Sequence, residues 1–278
     1  MNAVPGGPFL GEKAVTQEVM DALKAKYGLD KSLWEQYTTY LKGIFQFEFG
    51  PSLKQRGRDV VDIIVTGFKT SAMVGGIAAL LAIIFGVTFG SIAAIKKNKV
   101  TDKSIMILST AFVATPSFII SSIFLVVFCV KFQILPARGD SFLGLILPIL
   151  SLSLYPMSYI TRLTRSSMLE VLGQDYIRTA RAKGVKPAKV VYKHALKNAL
   201  IPVLTYVGPM LAYILTGSLV VEKIFSVPGL GRSFVSSITS RDYTLIMGTT
   251  IFLASLIVIM NLVTDILYKF VDPRIDFS

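Results

Sequence analysis

Only one cysteine, Cys129, occurs in the 278 residues, and it sits inside the apolar run SSIFLVVFCV. No disulfide can form within the chain, so cysteine usage says nothing of its redox compartment, and Cys129 reads as a small buried hydrophobe. Histidine is as scarce. His194 stands alone, with no H-E-x-x-H pair and no cysteine cluster, which removes the usual zinc sets. A Ser–His–Asp hydrolase would have to use that one imidazole, which lies in a basic loop and reads as a helix-surface side chain. No G-x-x-x-x-G-K-[ST] is present, so the chain cannot bind ATP through a P-loop. The start, MNAVPGGPFLGEK, lacks the apolar stretch of a cleavable signal peptide.

Charge is also short. Charged residues make up 17% of the chain against 53% hydrophobic, where a soluble domain carries about a quarter charged. What fills the space is five uncharged runs of 21 to 27 residues: Thr70–Ile95, Ser104–Val130, Ser141–Thr161, Ala199–Val221 and Tyr243–Thr264. About 20 apolar residues cross a ~30 Å hydrocarbon core, so the sequence predicts an all-α, polytopic helical membrane protein with five spans. No acidic or basic residue lies in the middle of a run. Such charges mark ion or proton coupling, and their lack argues against a secondary transporter or channel. A polar constellation at one depth, which a membrane enzyme needs, cannot be assembled either.

The net charge of +12 would suggest nucleic acid in a soluble protein, but its placement says otherwise. Loop 96–103 is net +3 and loop 162–198 is net +7, while loops 131–140 and 222–242 are each +1. Positive loops stay inside, so the first pair is cytoplasmic and the second extracytoplasmic. No nucleic-acid partner is needed; the partner is the lipid bilayer. This topology puts residues 1–69 outside as an extracytoplasmic helical segment. It also leads us to expect a further transmembrane helix ahead of Met1. Within that segment Val15, Val19, Leu23 and Tyr27 share one helix face closed by Gly28. A second helix is expected over Ser32–Phe45, with Trp34 buried against its neighbours.

Inside the runs, Gly86-x-x-x-Gly90 permits close helix approach, and Pro116, Pro148 and Pro156 are expected to kink or break helices. The most basic stretch is DYIRTARAKGVKPAKVVYKHALKNALIP, residues 175–202. An amphipathic helix is expected over Ser166–Lys183, with Leu169, Leu172, Tyr176 and Ala180 on one stripe. Gly184 would end it in the left-handed conformation, and Pro187 would open a second helix with Val190, Val191, His194, Ala195 and Asn198 on one face. The result is a bent knob of small residues facing the cytoplasm. A solvated basic loop accounts for the charges but not for the Gly–Pro break.

This knob resembles the EAA loop of type I ABC-importer permeases. Their pattern is E-A-A, three residues, glycine, nine residues, then I-x-L-P. With the glycine at Gly184, Arg178-Thr179-Ala180 fall at the E-A-A positions and His194-Ala195-Leu196-Lys197 at I-x-L-P. Glu is replaced by Arg178, Ile by His194 and Pro by Lys197. RTARAKG followed by HALKNALIPV is similar to the variant in dipeptide, oligopeptide and nickel permeases. Further motifs agree in order: FGPS at 49–52, TPSF at 115–118, RLTRSSMLEVL at 162–172, VEKIFSVPGLG at 221–231, RDY at 241–243 and DPRI at 272–275. PGGPF near the start and the outer segment look most like the oligopeptide B-type subunit.

The resemblance implies a non-catalytic permease subunit, with residues 70–268 as the type I permease domain and 269–278 as a cytoplasmic tail. Within the domain, 162–198 would be the coupling loop. It implies a C-type permease as heterodimer partner, two ABC ATPases, and an extracytoplasmic peptide-binding protein, in a bacterial or archaeal plasma membrane. No cofactor or metal is expected on this chain; ATP and Mg would sit on the ATPases. Arg178, Thr179, Ala180, Arg181, Ala182, Lys183 and Gly184 would form the ATPase-coupling element. Pro228, Gly229, Gly231, Arg241 and Asp242 would shape the docking surface for the binding protein, or simply an outer turn. Within the family, nickel or another small solute is the rival substrate to peptides.

Overall fold

The computed structural model describes residues 28, 30–55, 57–215 and 219–271, with side chains to 266. The helix expected over Val15–Tyr27 and the PGGPF and DPRI motifs lie outside the described residues. The first described helix, α1 (Leu33–Phe45), starts on a reciprocal cap: Glu35 N–H donates to Ser32 Oγ and Ser32 N–H to Glu35 Oε2, both at 3.3 Å. None of its residues is buried, and Trp34 is 72% exposed, with its ring tilted against Tyr37 at 5.7 Å between centroids. The expected burial of Trp34 does not occur; along the expected stripe Tyr40, Leu41 and Ile44 are half-buried instead.

Four stretches are long and apolar enough to cross a membrane: Val60–Ile95, Phe142–Leu172, Ile201–Ile224 and Tyr243–Ile266. They hold α2 (Val60–Ile95), α5 (Phe142–Leu172), α9 (Ile201–Leu215) with α10 (Leu219–Ile224), and α12 (Tyr243–Val271). The remaining run is not one helix. α3 (Val100–Ala114) and α4 (Ser117–Phe124), which continues as a π-helical turn over Leu125–Lys131, meet at a bend of 102°. Pro116 offers no N–H and holds Thr115 extended, at ψ 121. With that bent pair counted as one crossing, the spans number five among the described residues. Pro148 and Pro156, by contrast, lie within an unbroken α5.

Helix ends depart from the uncharged runs. α2 begins at Val60, ten residues before Thr70, and carries Asp62 and Lys69 as helical residues, so the 69/70 boundary falls inside a helix. α5 runs on to Leu172 past Arg162 and Arg165. Loss of charge marks where lipid begins, not where hydrogen bonding stops. The single amphipathic helix expected over Ser166–Lys183 is therefore two pieces. Gly173 caps α5, Gln174 is extended at ψ 152, and α6 (Asp175–Ala182) starts afresh.

α2 and α5 make the most extensive helix pair. At Gly86 a Cβ would come within 2.7 Å of Ile160, and at Gly90 within 2.6 Å of Thr164 Cβ and the Thr161 carbonyl. Hydrogen in place of a side chain is what brings the two backbones together. Around this pair the buried side chains form clusters stacked along the spans. The outer ones join Val60, Ile63, Ile64, Leu230 and Leu245, and separately Val74, Leu147, Phe225 and Val227. A middle one joins Ala79, Ala82, Ile160, Val203 and Ile214. The innermost joins Ala94, Met168, Ile177, Val190, Ala195 and Ala199.

Candidate functional site

The knob forms at the end of α6. Gly184 has φ +74, and its N–H donates to the Arg181 carbonyl at 2.9 Å while Val185 N–H donates to the Ala180 carbonyl at 3.2 Å. These two bonds are the paired closure of a Schellman motif, with glycine at the left-handed position and Lys183 as C-cap. Val185 and Ala180 both pack on the innermost cluster, which is the apolar contact that accompanies such a closure. Lys186 is extended and Pro187 opens the short α7 (Pro187–Lys189). A π-helical turn over Val190–Ala195 and α8 (Leu196–Ala199) then lead into α9.

The base of the knob is anchored and its tip is free of the chain's own packing. Ile177, Val190 and Ala195 are buried with Ala94 at the end of α2, Met168 near the end of α5, and Ala199. Asn198 Nδ2 donates to Tyr176 Oη at 2.8 Å, tying the descending and ascending helices. Arg178, Thr179, Arg181, Ala182, Lys183 and Gly184 are exposed, and Ala180 is half-buried. All seven coupling positions therefore lie together on one bend. The expected stripe shifts in detail: Leu169, Leu172 and Ala180 pack inward, but Ile177 takes the buried place and Tyr176 is exposed. Of the second face, Val190 and Ala195 are buried, Val191 and His194 half-buried, and Asn198 exposed.

The outer loop is held by two buried carboxylates. Glu222, 2% exposed, accepts from Ser71 Oγ at 2.7 Å and from Arg232 N–H at 3.1 Å, while Ser71 Oγ in turn accepts from Leu230 N–H at 2.9 Å. The pair thus caps α11 (Leu230–Ser240) from another helix and from α10. A Cβ at Gly229 would collide with the Glu222 carboxylate and lie 2.6 Å from Ser71 Oγ. Asp242, 1% exposed, accepts from Leu245 N–H at 3.2 Å, from Leu53 N–H at 3.1 Å and from Ser52 Oγ. It caps α12 and fastens the FGPS turn to it.

The five outer positions consequently divide. Pro228 is exposed and Arg241, left-handed at φ 59, is half-buried at the C-cap of α11. Gly229, Gly231 and Asp242 are buried within the loop. The sequence reading did not find Ser71 or Glu222, nor the pair Asp102–Arg165 at the inner face. Glu222 and Arg165 stood inside the VEKIFSVPGLG and RLTRSSMLEVL motifs, but nothing in the sequence paired them with Ser71 and Asp102. Among the described residues no group of His, Cys, Asp or Glu could hold a metal ion.

Residues 86–277, from the glycine pair through the knob and the outer loop, match the family of binding-protein-dependent transport system inner membrane components. The chain belongs to that family. Among curated relatives of this transport component, the dipeptide transport system permease protein DppB of Bacillus subtilis is 45% identical, covering 99% of this chain and 90% of its own length. The oligopeptide transport system permease protein OppB of Salmonella typhimurium is 41% identical, covering 100% and 92%. Among solved structures, the MetNI methionine ABC transporter in an inward-facing form aligns with TM-score 0.62 at 17% identity, over 76% of this chain and 96% of that one. An amino acid ABC transporter aligns with TM-score 0.59 at 14% identity, over 75% and 94%. These establish the type I ABC importer permease fold. The inner membrane component described here is a multi-pass permease.

Proposed function

We propose that this permease is one of two membrane halves of an ATP-driven importer of dipeptides or oligopeptides in the bacterial plasma membrane. The observation that carries the reading is identity of 41 to 45% over essentially the whole chain to permeases named for those substrates. A related C-type permease would complete the pore, two ATPases would bind from the cytoplasm, and a peptide-binding protein would dock outside. The ATPases carry ATP and Mg; this chain supplies the exposed bend from Arg178 to Gly184 as the part a groove can hold. Closure of the ATPases moves the knob, and energy enters through differential affinity for the two pore states. On the outer side, Pro228 and Arg241 contact the binding protein on a loop that Glu222 and Asp242 stiffen.

The test is reconstitution. Co-expressed with a C-type permease, two ATPases and a peptide-binding protein and placed in vesicles, the complex should accumulate labelled peptide only when ATP is supplied on the ATPase side. Uptake that persists without the ATPases would instead make the chain a channel or secondary carrier.

A further inference from the structure

The turn between α2 and α3 carries Lys96, Lys97, Lys99 and Lys103, all exposed, around a single acidic residue, Asp102. That carboxylate is already taken by Arg165 of α5. Among the described residues no acidic side chain pairs with any of the four lysines. The turn has a fixed shape. Asn98, left-handed at φ 63, donates its N–H to Asp102, and Lys99 N–H donates to the Lys96 carbonyl at 3.0 Å. Asparagine is one of the few residues that takes that conformation readily. Four unmatched positive charges are thus presented by a closed turn that Arg165 fastens to another span.

Aliphatic side chains stand beside the charges. Ile95, Val100 and Ile107 are exposed, Val100 to 79%. Val100, Lys103 and Ile107 follow at three- and four-residue spacing and share one face of α3. The uncharged stretch 70–95 of α2 rises about 39 Å at 1.5 Å per residue, more than a ~30 Å hydrocarbon core, which brings Lys96 to headgroup level. Within two helical turns the surface therefore passes from hydrocarbon to charge. The knob differs, since Ala182 and Gly184 rather than aliphatic side chains stand among its exposed charges. A water-borne acidic partner would match the lysines of the turn but not Val100 and Ile107. A phospholipid matches both.

We propose that this turn is a binding site for anionic phospholipid headgroups of the cytoplasmic leaflet. Lys96, Lys97, Lys99 and Lys103 hold the headgroup, and the acyl chains run along Val100 and Ile107. Anionic lipids attract basic segments next to a span, and lysine stems lie on apolar surface while their ammonium groups stay in the polar layer. The site needs only the span arrangement and the inner position of the turn, so it stands apart from the choice of transported solute.

Lipid titration tests this. The full chain, purified in a neutral detergent, is titrated with phosphatidylglycerol and with phosphatidylcholine carrying the same fluorescent acyl chain. Phosphatidylglycerol should bind about tenfold more tightly or better, and each single lysine-to-glutamine change should weaken it about fivefold, the scale of one basic residue at an anionic surface. With Lys96→Gln, Lys97→Gln, Lys99→Gln and Lys103→Gln combined the preference should vanish, and the matching Lys→Arg set should keep it. Lys186→Gln, Lys189→Gln and Lys193→Gln, which remove three charges from the knob, should leave it intact. Equal binding of the two lipids by the parent chain, or the same loss from the knob variant, overturns the proposal. So does displacement of the lipid by soluble glycerol phosphate as effectively as by phosphatidylglycerol, which would make the turn a site for a free phosphate ligand. A second reading needs no variant, in case the glutamine set fails to fold. In lipid nanodiscs an amine-reactive reagent should modify the four lysines several-fold more slowly in phosphatidylglycerol than in phosphatidylcholine, relative to Lys186, Lys189 and Lys193. Equal slowing at all seven rejects the site.

Discussion

Arg165 grips Asp102 with both edges of its guanidinium, Nε donating to Oδ1 at 2.6 Å and Nη2 to Oδ2 at 2.8 Å, across 63 positions of sequence. Asn98 N–H donates to the same carboxylate at 2.8 Å. Asp102 is 2% exposed, and it and Ser109 are the only buried residues of α3. The Asp102–Arg165 pair ties α3 to α5 alongside the side-chain packing of α3 on α5 and α2. Arg165→Ala should strand the carboxylate and cost about 3–5 kcal/mol, read as a lower melting temperature of the purified subunit in detergent. Arg165→Lys should fall between, since an ammonium cannot make the two-pronged contact. The exchange Asp102→Arg with Arg165→Asp should recover part of the loss; no recovery would show that the pair is incidental.

At Gly184 the cost of substitution comes from backbone alone. Its φ is +74, and a Cβ there would meet nothing within 4 Å. Gly184→Asn should be mild and Gly184→Val should cost about 1–2 kcal/mol or more. If the knob couples the permease to ATPases, the valine variant loses ATPase co-purification and uptake while still reaching the membrane. Normal coupling in that variant would reject the role assigned to the bend.

The glycine pair on α2 behaves in the opposite way, since there sterics decide. Gly86→Ala and Gly90→Ala must push against Ile160, Thr161 and Thr164. Each should lose about 1–3 kcal/mol, with Gly76→Ala, where a Cβ meets nothing within 4 Å, as the neutral comparison. Melting curves of the three variants check the order.

Glu222 gives a test of the outer loop. Glu222→Ala removes acceptors from Ser71 and Arg232 N–H in a buried setting, a loss of about 1–3 kcal/mol or more. Limited proteolysis from the outer face should cut within 222–242 faster than in the parent protein. Glu222→Gln keeps the size and one acceptor oxygen, and is expected to be cut at an intermediate rate. Equal rates for all three would mean that the carboxylate does not fasten the loop.

The features legible in the sequence were those with a local cause. Runs without charge revealed the spans, Gly184 and Pro187 revealed the knob, and Pro116 revealed a break whose 102° angle came only from the structure. Helix ends were not legible, because α2 and α5 pass through charged residues without stopping. Nor were the polar pairs. Ser71 and Glu222 lie 151 residues apart, and nothing in either neighbourhood names the other. Asp242 shows the same limit: the RDY motif marked it, but only packing shows that it is an internal cap.

The buried base of the knob has a further consequence. Ile177, Val190 and Ala195 share one apolar cluster with Ala94 and Met168 of the two central helices, so the bend and the ends of α2 and α5 are packed into one body. Coupling through a shared body is reciprocal. Under the proposed function, whatever factor ATPase closure contributes to the outward-open pore, a loaded binding protein resting on that open form returns to ATPase closure. A permease built this way carries news of substrate to the nucleotide site as faithfully as it carries work from it.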